Sequence, residues 1–182
     1  MAEHKIVFAG SPGAGKTTAI GAISDRPPVV TDVRNSDPSL KKDFTTVGMD
    51  YGELDLGEGE RVRLFGTPGQ ARFNFLWGIL ATHALGLVIL IDNSRPDPLQ
   101  DLGVYLDGFK HLLPEIACTV GIGRTESHPS PALDQFGDLL AARGLLCPVL
   151  PVDVRCRDDV LLLIDTVLAQ AEARIASVET LP

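Results

Sequence analysis

Short apolar runs of strand length recur along this chain, and segments with helical spacing separate them. The apolar runs lie at residues 6–9, 85–91, 116–122 and 149–152. The segments with helical spacing lie at residues 16–24, 71–81, 99–113, 132–143 and from 158 onward. Continuous apolar runs are typical of strands that are buried on both faces of a parallel sheet. The alternation of such strands with helices therefore predicts an α/β fold with a mostly parallel sheet.

A hairpin interrupts this alternation. Residues 49–56 and 61–65 alternate apolar with polar positions, and the Gly-Glu-Gly-Glu sequence at 57–60 is typical of a hairpin turn. One strand of the hairpin must run against the others, so we expect a six-stranded, mostly parallel sheet with one antiparallel strand. Residues 25–45 are rich in Pro, Asp, Ser and Asn, and this composition predicts a long loop.

The last helix carries one apolar stripe. Its members recur at helical spacing and are Val160, Ile164, Val167, Ala171 and Ile175. Such a stripe predicts that one face of this helix packs against the sheet. In parallel α/β sheets, ligands bind beyond the carboxyl ends of the strands, so the chemistry of this chain is expected at that edge.

Composition narrows the class of protein. The 182 residues make up about one domain, with 45% apolar and 22% charged residues, as in ordinary globular proteins. The formal net charge of −8 disfavours a broad nucleic-acid interface and a polybasic membrane patch. No apolar run approaches the ~20 residues of a membrane-spanning helix, and no secretory signal is visible. Three widely spaced cysteines without a Cys-x-x-Cys pair predict reduced thiols and a cytoplasmic location.

The most specific motif lies between the first predicted strand and the first predicted helix. Residues 10–17 match Gly-x4-Gly-Lys-[Ser/Thr], the pattern of a phosphate-binding loop. Glycines let backbone N–H groups approach phosphate oxygens, and the helix N-terminus adds donors and a partial positive charge. Lys16 would place a point charge on the outer phosphates, and the Thr17 hydroxyl would be a magnesium ligand. Pro12 would stiffen the loop without supplying a donor.

This motif fits two classes of protein, a GTP-hydrolysing switch and an ATP-dependent small-molecule kinase. Two downstream segments favour the switch. Thr46 follows the long polar loop, where it could hold magnesium and the γ-phosphate until hydrolysis releases it. In the segment 64–73, the Gly69 N–H could bond the γ-phosphate and Gln70 could orient the attacking water. Taken singly, Thr46 also suits the start of a surface strand, and the segment 64–73 also suits a helix-entry turn.

Taken together and in this order, these segments resemble those of small Ras-like GTPases. The sequence Gly-Thr-Pro-Gly-Gln-Ala-Arg-Phe at 66–73 is similar to the Gly-Thr-Pro-Gly-Gln-x-Arg-Phe motif of a bacterial and archaeal branch of that family. The resemblance implies a three-layer P-loop NTPase G domain over residues 1–182, with a core at about 4–170 and a short C-terminal tail. It also implies GTP and GDP as ligands, Mg²⁺ as cofactor, and a GTPase that switches partner proteins.

The resemblance assigns roles along the chain. Residues 10–18 would form the phosphate loop, 25–46 the first switch, and 66–73 with the following helix the second switch. The loop 151–155 would face the base, with the backbone N–H of Val154 near the guanine oxygen. The implied catalytic residues are Lys16, Gly69 and Gln70. The implied nucleotide-binding residues are Gly10, Ser11, Pro12, Gly13, Ala14, Gly15, Lys16, Thr17, Thr18, Thr46, Gly69, Gly123, Arg124, Glu126, Asp153 and Val154.

One departure from the family pattern concerns the metal. The family carries an Asp, which holds a magnesium-bound water, where this chain has Gly66. Asp92 ends the strand that is expected beside the phosphate-loop strand, and our hypothesis is that Asp92 takes over this task. A simple polar cap on the strand is the alternative. The expected metal-binding residues are therefore Thr17, Thr46 and Asp92.

A second departure concerns the base. The guanine-reading motif Asn-Lys-x-Asp is replaced by Gly123-Arg124-Thr125-Glu126. Glu126 could accept from the guanine N1 and N2 donors, and Arg124 could pack on the base. Gly123 cannot replace the Asn side chain, which predicts a selectivity for guanine that is weaker by about 1–3 kcal/mol. No arginine stands close before Thr46 as a catalytic finger, so hydrolysis should be slow without an activator.

Aromatic residues suggest a partner surface. Six of the ten aromatic residues lie between residues 44 and 77. The predicted helix at 71–81 is apolar on more than one face, so Phe73, Phe75 and Trp77 would offer a surface to a regulator or effector protein, unless the helix is wholly buried. Roadblock-type proteins, which are often encoded beside members of this branch, are the class of partner implied. Two other functions stay open: a nucleotide-binding scaffold with little turnover, and the small-molecule kinase.

Overall fold

The computed structural model describes residues 2–33, 47–70 and 73–179, and within these ranges seven strands form a single sheet. In chain order the strands are β1 Ala2–Gly10, β2 Val29–Val33, β3 Val47–Gly57, β4 Glu60–Gly66, β5 Gly86–Asp92, β6 Ala117–Gly123 and β7 Val149–Val152. The helices are α1 Lys16–Ile23, α2 Asn74–Ala81, α3 Pro98–Gly108, α4 Leu133–Ala142 and α5 Arg157–Glu179. The α/β class predicted from the alternating pattern is confirmed.

The order of strands in the sheet is β2-β3-β4-β1-β5-β6-β7. Only β3 runs against its neighbours, since it pairs antiparallel with both β2 and β4 while the other pairings are parallel. One antiparallel strand is as expected, but the sheet has seven strands instead of six. The added strand is β2, which lies within the segment predicted as a loop. Its five residues pair along the edge of β3, and this pairing supplies backbone partners that local composition does not reveal.

Helices cover both faces of the sheet and produce three layers. On one face, α2, α3 and α4 pack over apolar side chains of β1, β5 and β6, with Val7 and Leu87 among them. On the other face, α1 and α5 pack over Ile6, Phe8 and their neighbours. Successive residues of β1 therefore enter opposite cores, as the period of two in a strand requires. This arrangement explains why the central strands are continuous apolar runs.

Two helices differ from the sequence-based prediction. The α5 stripe is buried from Val160 to Ala171, but Ile175 is 57% exposed. Its burial was predicted from periodicity, which does not indicate where the sheet beneath a helix ends. The helix α3 ends at Gly108, and turns occupy 109–115 where a continuous helix to 113 was predicted. No helix within the described ranges is both long enough and apolar enough to cross a membrane.

Candidate functional site

The loop at 10–17 connects the central strand β1 to α1 at the carboxyl edge of the sheet. Gly15 caps α1 in a left-handed conformation, with φ of 97°. A Cβ atom at this position would lie 2.7 Å from Cγ2 of Val154. Glycine therefore permits both the turn into the helix and close contact with the loop that follows β7. The 10–17 loop and the 151–155 loop are joined at this point.

A crevice of two adjoining cavities surrounds the 10–17 loop, and the cavities meet at Gly13. The larger cavity, of about 760 Å³, lies between residues 13–18 of this loop region, the loop after β6 and the loop after β7. The smaller cavity, of about 270 Å³, lies between the 10–17 loop, β3 and the segment that follows β4. Both cavities open at the carboxyl edge where ligands bind in such sheets.

Lys16 lies beneath the smaller cavity and is almost fully buried. Its Nζ atom donates to the backbone oxygen of Gly10 at 2.6 Å and to that of Ser11 at 3.1 Å. Desolvation by burial lowers the pKa of Lys16 to about 8, although the negative charge of Asp50 opposes this shift. The ammonium group is thus held by loop carbonyls at the place where the cavity can receive an anion.

Thr17 contacts a carboxylate that sequence reasoning did not identify. Its Oγ1 atom donates to Oδ2 of Asp50 at 2.7 Å, across a separation of 33 residues. Asp50 is 7% exposed and stands on β3 directly opposite Gly66 of β4. A Cβ atom at position 66 would lie 2.9 Å from Oδ2 of Asp50 and 3.0 Å from its Cβ. The carboxylate of Asp50 therefore occupies the space into which a side chain at position 66 would project.

Sequence alone offers one indication that Asp50 belongs to the site. Asp50 is an acidic residue inside a predicted strand, and the neighbouring predicted strand has no acidic residue at position 66. Gly66 stands where the family that the sequence resembles carries an Asp. Pairing these two facts requires the strand register, which places Asp50 and Gly66 side by side. Sequence reasoning instead considered Asp92, because that residue also ends a strand expected beside β1.

Asp92 makes different contacts. Its Oδ1 atom accepts from the backbone N–H and the hydroxyl of Ser94, at 2.9 and 2.6 Å. Its Oδ2 atom lies 3.1 Å from Nη1 of Arg124, which also donates to the Ser94 hydroxyl at 3.0 Å. Asp92 lines the larger cavity, and the carboxylate that touches Thr17 is that of Asp50. The structure thus joins Asp92 to the predicted base-binding loop.

The residue between Asp92 and Ser94 supports the same loop at its far end. Asn93 is 2% exposed, and its Nδ2 atom donates to the backbone oxygens of His128 and Pro131 at 2.6 and 3.0 Å. Arg124 has a left-handed backbone with φ of 63°, so this loop turns away sharply from β6. Residues 92–94 therefore hold both ends of the loop at 124–131.

Gly123 and Glu126, which are predicted to bind the nucleotide, lie with Arg124 in the lining of the larger cavity. Gly123 leaves room beside it, because a Cβ atom there would lie 3.6 Å from the nearest neighbouring atom, the backbone oxygen of Ile91. Glu126 is exposed. The cavity wall therefore carries a fixed guanidinium, a solvent-accessible carboxylate and an open position for a larger side chain.

The loop at 151–155 forms the opposite wall of the larger cavity. The guanidinium of Arg155 donates twice to the carboxylate of Asp153, at 2.9 and 2.7 Å, and these hydrogen bonds lower the pKa of Asp153 to about 2. The backbone N–H of Asp153 donates to Oδ2 of Asp159 at 2.8 Å. Asp153 and Val154, which are predicted to bind the nucleotide, thus line the larger cavity, and the Asp153 carboxylate already has a cationic partner.

The segment after β4 closes the smaller cavity from above. Gly69 lies so near the 10–17 loop that a Cβ atom there would be 2.6 Å from the Pro12 nitrogen and 2.9 Å from Nζ of Lys16. Gln70 is exposed and lines this cavity. The structure therefore brings three of the predicted catalytic residues together. Thr46, the predicted magnesium-sensing residue, lies outside the described residues.

Trp77 does not belong to an exposed partner surface, contrary to the sequence-based expectation. It is fully buried, stacks on Tyr105 at 4.6 Å and on Phe109 at 5.7 Å, and donates from Nε1 to the Pro68 oxygen. Burial of the indole follows from α2 resting on the sheet and on α3. The outward face of α2 instead carries Phe75 and Ile79, which are 63% and 66% exposed, and Phe73 is half-buried beside Phe75.

Comparison with known proteins gives one curated relative. No family model matches the chain. The uncharacterized protein MJ1339 of Methanocaldococcus jannaschii is 31% identical over 99 residues, which are 54% of this chain and 57% of that protein. The match therefore spans little more than half of either chain.

Proposed function

We propose that this chain is a small GTP-binding protein that hydrolyses GTP slowly with magnesium and signals its nucleotide state to partner proteins. The observation that carries this proposal is the two-part crevice around the 10–17 loop. Its smaller part holds a buried lysine and a hydroxyl–carboxylate pair, which suit a phosphate tail. Its larger part has the volume and the polar walls that suit a nucleoside.

The smaller cavity supports phosphate binding through Lys16. A desolvated ammonium group gains more from an incoming phosphate than a hydrated one, because its charge is poorly compensated before binding. The N-terminus of α1, whose first N–H groups have no partner within the helix, adjoins the same cavity, because Lys16 and Thr17 line it. In this proposal Lys16 contacts the outer phosphates, and the backbone of residues 13–17 encloses the inner ones.

Thr17 and Asp50 fit a magnesium ion that is shared with the nucleotide. Magnesium prefers oxygen ligands and is often held by one or two protein groups together with phosphates and water. No group of three His, Cys, Asp or Glu within the described ranges forms a complete cage, so a partly protein-held ion is the arrangement that suits this site. When bound, the ion would neutralise charge on the outer phosphates. Asp50 would then accept from a magnesium-bound water or from Thr17.

Hydrolysis would depend on Gly69 and Gln70. The Gly69 N–H would bond the γ-phosphate, and Gln70 would hold the attacking water. Among the described residues, Lys16 is the sole Lys or Arg that lines the smaller cavity. Transition-state charge is therefore poorly neutralised by this chain alone, which supports slow turnover and, as a second candidate, a nucleotide-binding scaffold that barely hydrolyses.

The larger cavity supports recognition of a guanine base. Glu126 would accept from the base N–H donors, Arg124 would lie against its face, and the Val154 N–H would meet its oxygen. The open position at Gly123 supports weaker selectivity than a site with an Asn there. A cytoplasmic location, where the three thiols stay reduced, is part of the proposal.

A partner would meet the outward face of α2. Phe75 and Ile79 are large, apolar and exposed, and they lie on the helix that follows Gln70. A change at Gly69 or Gln70 on GTP hydrolysis would reach this face through α2. A regulator or effector, of the roadblock type that the resemblance implies, is therefore proposed to bind Phe75 and Ile79, with Phe73 at the edge.

The proposal is tested by titrating the protein with fluorescent GDP and competing with GTP and with ATP. Phosphate release is then measured with each triphosphate, with Gln70→Leu as the control. Binding of guanine nucleotides with Gln70-dependent phosphate release supports the GTPase. Binding without release supports the scaffold. Conversion of ATP to ADP only with an added acceptor, with the γ-phosphoryl group recovered on that acceptor and not as free phosphate, supports the kinase. No binding of any triphosphate refutes all three.

A further inference from the structure

The 68–70 segment is held by two aromatic side chains from neighbouring helices. Trp77 of α2 donates from Nε1 to the backbone oxygen of Pro68 at 2.9 Å. Tyr105 of α3 donates from its hydroxyl to the backbone oxygen of Gly69 at 2.8 Å. The two rings stack with centroids 4.6 Å apart, and neither residue is more than 3% exposed. Two consecutive peptide groups therefore each accept a hydrogen bond from one of two stacked, buried aromatic side chains.

The direction of the Gly69 amide follows from the Trp77 hydrogen bond. The peptide between Pro68 and Gly69 is trans, so its C=O and N–H point in opposite directions. The C=O is bonded to the indole on the core side, and the N–H therefore points away from the core. A Cβ atom at Gly69 would meet the Pro12 nitrogen and Nζ of Lys16, so Gly69 lies against the 10–17 loop, and it also lines the smaller cavity. From this position, an amide that points away from the core can face that cavity.

Tyr105 adds a second connection. Its hydroxyl holds the next peptide through the Gly69 oxygen, and Ser11 of the 10–17 loop is among the residues that influence the pKa of that hydroxyl. Burial raises the pKa of Tyr105 to about 12, so the phenol keeps its proton at any pH near neutrality. Tyr105 therefore holds the segment that carries Gln70 through the Gly69 oxygen.

We propose that Trp77 and Tyr105 are positioning residues that aim the Gly69 amide into the smaller cavity and so let the site distinguish a nucleoside triphosphate from a diphosphate. This inference rests on the proposed function. A diphosphate does not reach the Gly69 amide in that proposal, whereas the γ-phosphate of a triphosphate does. Loss of either donor should consequently weaken triphosphate binding and hydrolysis while leaving diphosphate binding intact.

The test removes one hydrogen-bond donor at a time and keeps the ring. Tyr105→Phe deletes only the hydroxyl, and Trp77→Phe deletes the indole N–H. Tyr51→Phe is the matched control, because Tyr51 also packs on a phenyl ring and donates to a neighbour, Glu53, at 2.6 Å. Each protein is titrated with GDP and with a non-hydrolysable GTP analogue, and its single-turnover rate and melting temperature are measured.

For Tyr105→Phe we expect affinity for the GTP analogue to fall about 3- to 10-fold, the usual effect of one neutral hydrogen bond, with GDP affinity within twofold of wild type. The single-turnover rate should fall in parallel. Tyr51→Phe should change neither this rate nor the ratio of the affinities for the GTP analogue and for GDP. If Tyr105→Phe weakens the binding of both nucleotides equally, or leaves the ratio of the two affinities unchanged, the inference is overturned and the proposed function stays intact. If the wild-type protein binds neither nucleotide, the proposed function fails, and this inference fails with it.

Should Trp77→Phe fold poorly because it leaves a cavity, the Tyr105→Phe result still decides. If Tyr105 has only a structural role, Tyr105→Phe should lower the melting temperature and weaken the binding of both nucleotides to the same extent. A positioning role predicts a changed ratio at an almost unchanged melting temperature. The two explanations are therefore separated by measurements on one conservative variant.

Discussion

The two parts of the crevice are built in different ways. The smaller cavity is made of buried groups that come directly from strand ends and from the 10–17 loop, with Lys16 and Asp50 each less than 10% exposed. The larger cavity is walled by loops whose charged side chains pair mainly with one another, as Arg124 does with Asp92 and Arg155 with Asp153. The smaller cavity, where we propose that the phosphates bind, is therefore shaped mainly by buried groups, and the larger cavity, where we propose that the base binds, by more exposed charged pairs.

This difference predicts unequal sensitivity to substitution. A buried charge interacts through a low dielectric and has few alternative partners, so its loss has large effects. Exposed ion pairs are screened by water and salt, and their individual contributions are small. Substitutions in the smaller cavity should accordingly alter nucleotide affinity more than substitutions in the larger cavity.

The largest effect is expected for Asp50→Asn. The substitution keeps the shape but removes the negative charge beside Thr17. We expect the gain in GDP affinity on adding Mg²⁺ to fall about 10- to 100-fold, the usual range for groups that support a metal site. The measurement is a fluorescent GDP titration in Mg²⁺ and in a chelator.

A two-site exchange sharpens this prediction. Gly66→Asp alone should destabilise the protein, because its side chain would collide with Asp50. Adding Asp50→Gly should relieve the collision and restore magnesium dependence from the other strand. If Asp50→Asn leaves magnesium dependence unchanged, the carboxylate has no part in holding the ion.

The next largest effect concerns pH and Lys16. Its pKa is lowered to about 8 in the free protein, and phosphate oxygens favour the charged form, so binding takes up a proton once the pH exceeds that value. Affinity for pyrophosphate should fall by up to about 10-fold per pH unit above pH 8. Calorimetric titrations from pH 7 to 9.5 measure this, and a flat profile would contradict it.

The same shift affects stability with the opposite trend. Between about pH 8 and the ordinary lysine value of 10.5, the unfolded chain binds more protons at Lys16 than the folded chain. The contribution of Lys16 to the free energy of unfolding should therefore rise with pH across this range. Urea unfolding of the ligand-free protein, compared with Lys16→Met, isolates this contribution.

On the base side, Asp92→Asn should have a smaller effect. It would release Arg124 from its carboxylate partner, and the pair is partly exposed, so we expect GDP affinity to fall about 3- to 10-fold. Affinity for pyrophosphate, which has no base, should not change. A loss of magnesium dependence instead would support the hypothesis, made from the sequence, that Asp92 helps to hold the metal.

The smallest effect is expected for Gly123→Asn. The position has room for a Cβ atom, and an added amide could make one hydrogen bond to the base. Selectivity for GDP over ADP should rise about 2- to 10-fold. Competition titrations with the two diphosphates measure this ratio, and Gly123→Ala serves as the control that fills space without adding a polar group. Equal ratios in the two variants would argue against a base at this wall.

The sequence by itself determined the order of the elements other than β2, and the place of the 10–17 loop. Apolar runs, the hairpin turn and the glycine-rich motif are local patterns, and each is encoded by residues that are close in the chain. Gly123, Arg124, Glu126, Asp153 and Val154, to which the resemblance assigns nucleotide binding, lie together in the lining of one cavity, and their role in binding stays a prediction.

Only the tertiary structure decided which side chains meet. The contact of Thr17 with Asp50 depends on the register between β3 and β4, and that of Asp92 with Arg124 depends on the register between β5 and β6. The inward position of Trp77 could not be read from α2, because a helix that is apolar on several faces does not specify which face is buried. Strand register and helix orientation are set by packing between distant segments, and local patterns do not contain that information.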